Sequence, residues 1–223
     1  GTLNVFFAAK ENNIKKVVFA SSSSTYGTNT ELPKLEDKIG EPLSPYAVTK
    51  LVNEMYAKVF SRIYDFKYIG SRYFNVFGPR QNPAGPYAAV VPIFFREMLA
   101  GKSPVINGNG EQSRDFTYVE NVVDINIGTL YNNNPASWGN IYNVAYGAKT
   151  SLNELFQYIA ELTNYAGKPI YGPDRLGDIR DSLADISKAQ KLLNYKPSVS
   201  IRDGLRKTYD WFLKNKEALT ATA

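Results

Sequence analysis

The sequence of 223 residues contains no cysteine and no histidine. The absence of cysteine excludes disulfide bonds, thiolate nucleophiles and cysteine-ligated metal ions. The absence of histidine removes Ser-His-Asp catalysis, histidine-ligated zinc and imidazole acid–base chemistry. Proton transfer must therefore use tyrosine, lysine, hydroxyl or carboxylate groups, or water, and the sequence offers 16 tyrosines. We predict that the protein has no metal site.

Long apolar runs and dense basic segments are also missing. No run approaches the roughly 18 residues that cross a membrane, and the start does not resemble a signal peptide. The net charge is +5, but the basic residues are scattered, and the densest pair is Lys15-Lys16. We therefore predict a cytoplasmic protein that binds neither membranes nor nucleic acid.

The first third of the sequence has the hydrophobic pattern of alternating helices and strands. Residues 2–13 place apolar side chains at helical spacing, and the apolar run 17–20 is typical of a buried parallel strand. Ser44 followed by Pro45 predicts the start of a helix, and residues 67–78 predict a second buried strand. This order is typical of a doubly wound α/β sheet.

The remainder of the chain continues with elements of both kinds. Residues 105–109 and 141–145 predict short strands, and residues 90–101 predict a helix. Ser151 and Ser200 each precede a further helical pattern, and Ser151 has the sequence form of a capping box.

Tyr46 and Lys50 lie four residues apart on a predicted helix, so their side chains share one face. A neighbouring ammonium favours the phenolate form of a tyrosine, which can then accept a proton from a substrate hydroxyl. This composition leads to about one Tyr-x-x-x-Lys pair by chance. The pair alone is therefore no evidence of a site.

A run of four serines, residues 21–24, follows directly after the first predicted strand. Ligands of doubly wound sheets bind at the carboxyl ends of the strands. The same run, followed by Thr25, Tyr26 and Gly27, is also typical of a simple turn. Both interpretations stay open on this run alone.

Five motifs of the chain occur in the same order, and with similar gaps, in a known enzyme family. They are ASSSSTYG (20–27), SPYAVTK (44–50), RYFNVFGPRQNP (72–83), GNGEQSRDFTYV (108–119) and RLGDIRDSLADISKA (175–189). Together they resemble the UDP-galactose and UDP-N-acetylglucosamine 4-epimerases, which are extended short-chain dehydrogenases/reductases. The resemblance implies an α/β fold, with the C-terminal part of a doubly wound parallel (Rossmann) sheet and a smaller α/β substrate-binding domain.

The resemblance also implies how the chain divides between these two parts. Residues 1–78 would supply the later strands of the dinucleotide-binding domain, and residues 117–147 would return to it. Residues 79–116 and 148–215 would form the substrate-binding domain, followed by a tail over residues 216–223.

Ser22, Tyr46 and Lys50 match the catalytic residues of the family. The match implies that Tyr46 is the acid/base and that Ser22 hydrogen-bonds the reacting C4 hydroxyl of the sugar. Lys50 would hold the nicotinamide ribose of NAD and favour the ionised form of Tyr46. Tyr73 resembles a residue on the nicotinamide side, so the predicted cofactor-binding residues are Tyr46, Lys50 and Tyr73.

Other matches imply contacts with a UDP-sugar substrate. Arg114 and Arg175 resemble a pair that grips the diphosphate, because guanidinium groups suit phosphate oxygens. Asp178 resembles a contact to the ribose. The other predicted substrate-binding residues are Ser22, Ser23, Asn75, Asn107 and Ser182.

Ser182 bears on which UDP-sugar is the substrate. Galactose-restricted bacterial members of the family resemble one another in having tyrosine there, and a serine would leave room for a 2-acetamido group. The resemblance therefore implies NAD-dependent interconversion of UDP-GlcNAc and UDP-GalNAc by a homodimer. Interconversion of UDP-glucose and UDP-galactose, and a non-catalytic sugar-nucleotide-binding module, stay open as alternatives.

Two features of the start of the sequence differ from this family. The sequence begins at Gly1 without a methionine, and no glycine-rich phosphate loop follows any predicted strand. We expect a chain that begins after the fourth strand of a Rossmann sheet and leaves residues 17–20 at an unpaired edge. We also expect the 223-residue chain alone neither to retain NAD nor to turn over substrate.

Overall fold

A computed structural model of the protein describes residues 1–84, 88–174, 180–215 and 217. Within these residues the α-helices are α1 (Thr2–Glu11), α2 (Pro45–Ile63), α3 (Val90–Leu99), α4 (Val119–Leu130), α5 (Leu152–Thr163), α6 (Ser187–Leu193) and α7 (Ile201–Lys214). The strands are β1 (Lys16–Ser22), β2 (Lys67–Tyr73), β3 (Val76–Phe77), β4 (Val105–Asn107), β5 (Ser113–Arg114), β6 (Thr117–Tyr118), β7 (Asn140–Val144), β8 (Thr150–Ser151) and β9 (Ile170–Gly172). None of the helices in these ranges is long and apolar enough to span a membrane.

The central sheet consists of β1, β2 and β7, all parallel, with β2 in the middle. Ser22 lies opposite Tyr73, and Tyr73 lies opposite Val144. The carboxyl ends of the three strands therefore form one edge, where ligands bind in sheets of this type. The predicted α/β fold with a parallel Rossmann-type sheet is confirmed.

Helices cover both faces of this sheet. On one face, Phe6 of α1 and Phe60 of α2 pack around Phe66, and the Phe6 and Phe66 ring centroids are 5.3 Å apart. On the other face, Ile125 of α4 packs against Ile69 of β2 in a cluster that also includes α6. Cover on both faces explains why five successive residues of the central strand, 68–72, are buried.

The strand β1 is less buried than the sequence predicted. Val17, Val18 and Phe19 are only half-buried, and Ala20 is exposed. The cause is the position of β1 at the edge of the sheet, because β2 is its one strand partner in the described part of the chain. The strand and its place at an edge of the sheet are confirmed, and the expectation that residues 17–20 are buried is wrong.

Residues 67–78 form two strands where the sequence predicted one. Asn75 adopts a positive φ of 35°, a conformation that asparagine tolerates better than most residues. Beyond this break, β3 leaves the central sheet and pairs with β6, with Val76 opposite Thr117. The break therefore directs the chain from the sheet towards a second group of helices.

A second hydrophobic cluster is built from α3, α5 and α7. Phe94, Leu155 and Phe212 are among its fully buried side chains. The capping box that begins α5 is formed, because Ser151 Oγ accepts from Glu154 N at 3.1 Å and Ser151 N donates to Glu154 Oε2 at 2.8 Å. The helices predicted after Ser151 and Ser200 are confirmed.

Candidate active site

The helix α2 places Tyr46 and Lys50 at the carboxyl end of β1. Ser44 caps the helix by accepting a hydrogen bond from Ala47 N at 3.1 Å, as its sequence predicted. Lys50 Nζ donates to the Ala20 carbonyl at 3.0 Å and lies 5.6 Å from the centroid of the Tyr46 ring. The two side chains therefore share one face, and the ammonium is anchored to the strand beside the phenol.

Ser22 ends β1 and begins a short 3₁₀ turn over Ser23–Tyr26. Its hydroxyl oxygen accepts from Ser24 N at 3.2 Å, and its carbonyl accepts from Thr25 Oγ1 at 2.8 Å. The turn interpretation of the serine run is therefore confirmed, and the turn lies at the carboxyl end of the strand, while ligand binding there stays a prediction. The Ser22 hydroxyl proton remains available to a ligand, since a capping hydroxyl only accepts.

Tyr73 lies at the end of the central strand, but its side chain points away from α2. The Tyr73 hydroxyl donates to Asn126 Oδ1 of α4 at 2.8 Å, and its ring packs in the cluster on that face. Burial raises the pKa of Tyr73, so the phenol stays protonated at neutral pH. It is thus suited to pack its ring against a ligand and not to act as a base, since its hydroxyl proton is donated to Asn126.

A cavity of about 230 Å³ opens beside these residues, and because most of the residues that line it have polar side chains, we call it the polar cavity. Its hydroxyl groups come from serines, namely Ser23, Ser24, Ser44 and Ser182, and from Tyr26. The Ser24 hydroxyl is buried and has no hydrogen-bond partner in the described residues. An unsatisfied buried hydroxyl is costly, and a sugar hydroxyl in this cavity would satisfy it.

Lys34 lines the same cavity although nothing in the sequence distinguished it. Its side chain is buried, its ammonium donates to the Asn29 carbonyl, and burial lowers its pKa. An isolated bridge and two backbone hydrogen bonds join Lys34 to the segment around Ala184. The loop that carries Lys34 therefore lines the cavity together with the segment that carries Ser182.

A second cavity, of about 330 Å³, is lined by a larger share of apolar residues. Phe77, Phe94 and Leu152 contribute apolar surface, while the side chains of Asn107 and Gln112 add polar groups. Asn75 and Arg114 line both cavities. The two cavities are therefore neighbours, with an amide and a guanidinium group between them.

Asn75 and Arg114 are both held by backbone contacts. Asn75 Nδ2 donates to the Asp115 carbonyl at 3.1 Å, and Arg114 Nη1 donates to the Ser113 and Arg180 carbonyls at 2.9 Å each. Ser182 N donates to the Ser113 carbonyl at 3.0 Å, which places its side chain at the polar cavity. Two predicted residues, Arg175 and Asp178, lie outside the described residues.

Asp115 ties together the backbone that surrounds the polar cavity. Its fully buried carboxylate accepts from the backbone N–H groups of Tyr146 at 3.1 Å, and of Gly147 and Ala184 at 3.2 Å. Burial raises the pKa of Asp115 to about 6, against the opposing effect of these hydrogen bonds. The sequence showed Asp115 only as part of a motif and gave no sign of this role.

The raised pKa of Asp115 predicts a pH-dependent stability. Between pH 3.8 and about 6 the folded protein holds a proton that the unfolded chain releases. The contribution of Asp115 is therefore complete below that window and is lost as the pH rises through about 6, by an amount on the order of 3 kcal/mol. Urea unfolding of wild type and Asp115→Asn across this range measures the effect. A difference in unfolding free energy that does not change with pH would contradict it.

A family model, similar sequences and similar solved structures all relate this chain to one family. The family model of the NAD dependent epimerase/dehydratase family matches residues 1–145. The UDP-glucose 4-epimerase of Mycolicibacterium smegmatis is 38% identical over 217 residues, which cover 97% of this chain and 68% of that protein. The solved UDP-N-acetylglucosamine 4-epimerase of Methanobrevibacter ruminantium M1, in complex with UDP-N-acetylmuramic acid, superposes with a TM-score of 0.91 at 43% identity. That match covers 96% of this chain and 68% of the other.

A third similar structure contains NAD. The Bacillus cereus UDP-glucuronic acid 4-epimerase, in complex with UDP-glucuronic acid and NAD, superposes with a TM-score of 0.87 at 30% identity, over 96% of this chain and 66% of that one. The chain thus spans about two thirds of the length of these proteins. NAD, the predicted cofactor, is the cofactor of the matching family. The chain belongs to the NAD-dependent epimerase/dehydratase family, whose members similar to it include UDP-sugar 4-epimerases.

Proposed function

We propose that this chain carries the substrate site and the acid–base residues of an NAD-dependent UDP-hexose 4-epimerase that acts on UDP-GlcNAc and UDP-GalNAc. One observation supports this proposal above the others. A polar cavity and a more apolar cavity meet at Asn75 and Arg114, beside the helix of Tyr46 and Lys50.

Each part of a UDP-sugar has a matching part of the site. The hexose occupies the polar cavity, where serine hydroxyls meet its own hydroxyls. The uridine occupies the more apolar cavity, where Asn107 and Gln112 offer amide groups to its polar edge. The diphosphate lies between them at Arg114, which stays charged at neutral pH. Arg175 would add the second guanidinium group, and Asp178 would contact the ribose.

The proton chemistry is assigned to Tyr46. Tyr46 takes the proton of the C4 hydroxyl, while Ser22 hydrogen-bonds that oxygen and aligns it. The ammonium of Lys50 lies 5.6 Å from the centroid of the Tyr46 ring, and the Ala20 carbonyl holds it there. The 4-keto sugar then turns about its diphosphate link, and Tyr46 returns the proton to the C4 oxygen. Proton and hydride are both returned, so the reaction is an isomerisation with no net redox change.

The residues of this chain fit the nicotinamide end of NAD. Tyr46, Lys50 and Tyr73 surround the carboxyl ends of β1 and β2, where a nicotinamide could reach C4 of a sugar in the polar cavity. Bound NAD supplies the group that takes up the C4 hydride and gives it back. The sequence has no glycine-rich phosphate loop, so we assign no pyrophosphate contact to this chain.

Ser182 supports the choice of an N-acetylated substrate, and its replacement tests the proposal. Ser182 is 8% exposed and lines the polar cavity, so a phenol ring there would fill space that a 2-acetamido group needs. We expect Ser182→Tyr to lower kcat/KM for UDP-GlcNAc by about 100-fold and to change that for UDP-glucose by less than about threefold. Steady-state kinetics of the natural full-length protein with both substrates measure these changes. An equal loss of kcat/KM for both substrates would show that Ser182 does not set the size of the cavity.

We also propose the division into two domains that the family resemblance implied. Residues 1–78 and 117–147 would form the dinucleotide-binding part, and residues 79–116 and 148–215 the substrate-binding part. Separate hydrophobic clusters on the central sheet and around α3, α5 and α7 support two parts. The clusters also cross these boundaries, since Ala189 and Leu193 of α6 pack on the central sheet and Phe77 and Tyr118 pack in the cluster around α3, α5 and α7.

The outer face of α2 supports a homodimer. An exposed apolar stripe runs along it at helical spacing and consists of Val48, Val52, Met55, Val59 and Ile63. Two copies of one stripe, related by a two-fold axis, would cover each other. We expect Val59→Lys to convert a dimer to a monomer in sedimentation equilibrium, while Lys58→Ala, at the adjacent position, leaves the dimer intact. A monomeric wild type at micromolar concentration would refute the homodimer.

A further inference from the structure

A buried polar cluster joins the helix of the acid–base pair to two strands of the sheet. Glu54 of α2 accepts from Arg72 Nε at 2.9 Å and from Arg72 Nη2 at 2.8 Å. Ser21 Oγ donates to the same carboxylate. The Arg72 side chain is 3% exposed and that of Glu54 is 8% exposed, so both charges are removed from water. We call these three residues the Glu54 cluster.

Arg72 also holds the loop between β1 and α2. Its Nη1 donates to the Glu36 carbonyl at 3.0 Å, and its guanidinium lies 4.8 Å from the centroid of the Tyr26 ring. Although burial lowers it, the hydrogen bond and charge of Glu54 hold the pKa of Arg72 above its ordinary value. The Arg72 guanidinium thus stays charged, and the cluster connects α2, β1, β2 and this loop.

Every member of the Glu54 cluster is the neighbour of a residue predicted to act in the site. The neighbouring pairs are Ser21 with Ser22, Arg72 with Tyr73, and Glu54 with Lys50, one helical turn away. Successive residues of a strand point to opposite faces, so Ser21 and Arg72 face α2 while Tyr73 packs on the other face of the sheet. The cluster therefore holds the backbone of the site without entering either cavity.

Stability alone does not account for such a cluster. The free energy that two charges lose on leaving water offsets much of the free energy gained from their attraction. Well-packed apolar residues in the same place often make a protein equally stable or more stable. An ion pair with two parallel hydrogen bonds adds geometric precision, because it fixes both the distance and the angle between the guanidinium and the carboxylate. Misplacement of reacting groups by about 1 Å can lower a rate by about 100-fold.

We propose that the Glu54 cluster is a positioning device that sets the distance between α2 and the carboxyl ends of β1 and β2. It thereby holds Tyr46 and Lys50 within contact distance of a substrate bound beside Ser22. This inference rests on the proposed function, because it assigns the acid–base role to Tyr46. It goes beyond that function by giving a catalytic purpose to residues that touch neither substrate nor cofactor.

A triple variant separates positioning from stability. Ser21→Ala/Glu54→Leu/Arg72→Met removes both charges and the hydroxyl that would otherwise lose its acceptor. We expect a folded protein with a melting temperature within a few degrees of wild type. In the natural full-length protein, kcat should fall by about 10- to 100-fold, with KM changed by less than about threefold. The crystal structure of the variant should show the 3.0 Å contact from Lys50 Nζ to the Ala20 carbonyl broken.

The control is Phe66→Leu, which leaves a cavity in the apolar cluster before the amino end of β2. It should lower the melting temperature and leave kcat unchanged. A triple variant with wild-type kcat, or with the Lys50 contact intact, would overturn the proposal. If the triple variant does not fold, Arg72→Lys takes its place, because lysine keeps the positive charge but cannot form the two parallel hydrogen bonds to Glu54. The measurements are again kcat and the contact from Lys50 Nζ to the Ala20 carbonyl. A wild type without turnover would refute the proposed function, while the Lys50 contact in the variant structure would still decide the role of the cluster.

Discussion

Replacing Tyr46 with phenylalanine should lower kcat for UDP-GlcNAc epimerisation by about 10²- to 10⁴-fold in the natural full-length protein. The substitution removes one oxygen from a side chain that is more than half exposed, so folding should not change. Because this chain has no histidine and no cysteine, neither residue type within it can take over the proton transfer. Binding of UDP-GlcNAc, measured by calorimetry, should stay within about threefold of wild type.

Tyr64→Phe is the matched control, because Tyr64 caps the other end of the same helix. It should have wild-type kcat. Retention of most activity by Tyr46→Phe would remove Tyr46 from the acid–base role. Loss of binding together with loss of turnover would mean that Tyr46 shapes the substrate site and is not its proton carrier.

Arg114→Gln should weaken the binding of UDP by about 10- to 100-fold, because a hydrogen bond between charged groups contributes more than a neutral one. Arg114 lines both cavities and lies where the diphosphate must pass between them. Uridine, which has no phosphate, should bind wild type and variant alike. Calorimetry with UDP and with uridine, on the 223-residue chain itself, measures both.

The control for Arg114 is Arg202→Gln, because Arg202 is an exposed arginine of α7 that contacts Glu161 and the Tyr158 ring. It removes the same net charge and should leave UDP affinity unchanged. An equal loss of uridine affinity in Arg114→Gln would indicate collapse of the cavity wall. An unchanged UDP affinity would place the diphosphate elsewhere.

Local signals in the sequence predicted much of the fold. Ser44 before Pro45 and the capping box of Ser151 each depend on hydrogen bonds within a few residues, and both are formed. The strand after residue 15 and the face shared by Tyr46 and Lys50 were also predicted. Such features need no information from distant parts of the chain.

Features that depend on distant contacts were missed. The helix α4 was not predicted, because two of its three buried residues, Asn121 and Thr129, are polar and hide its periodicity. The end of β2 at Tyr73 depends on the pairing of β3 with β6, which are far apart in the sequence. Single-residue patterns could not anticipate either feature.

In the candidate site, too, residues with a local sequence signal were predicted and residues placed by distant contacts were missed. The family motifs brought Ser23, Asn75, Arg114 and Ser182 into consideration, and the structure brings all four to one cavity. Lys34 lies in a polar loop with no local signal, and its place in the cavity follows from its pairing with the segment around residue 184. The contact between Glu54 and Arg72 likewise forms only when helix and strand meet.

The most direct test of the central claim is the reaction itself. UDP-GlcNAc and, separately, UDP-GalNAc are incubated with the natural full-length protein and NAD, and the sugar nucleotides are followed by proton NMR. The account predicts that each substrate converts to the other until both reactions reach the same ratio, with no accumulation of reduced cofactor. Conversion of neither sugar nucleotide, or a product other than the C4 epimer, would contradict it.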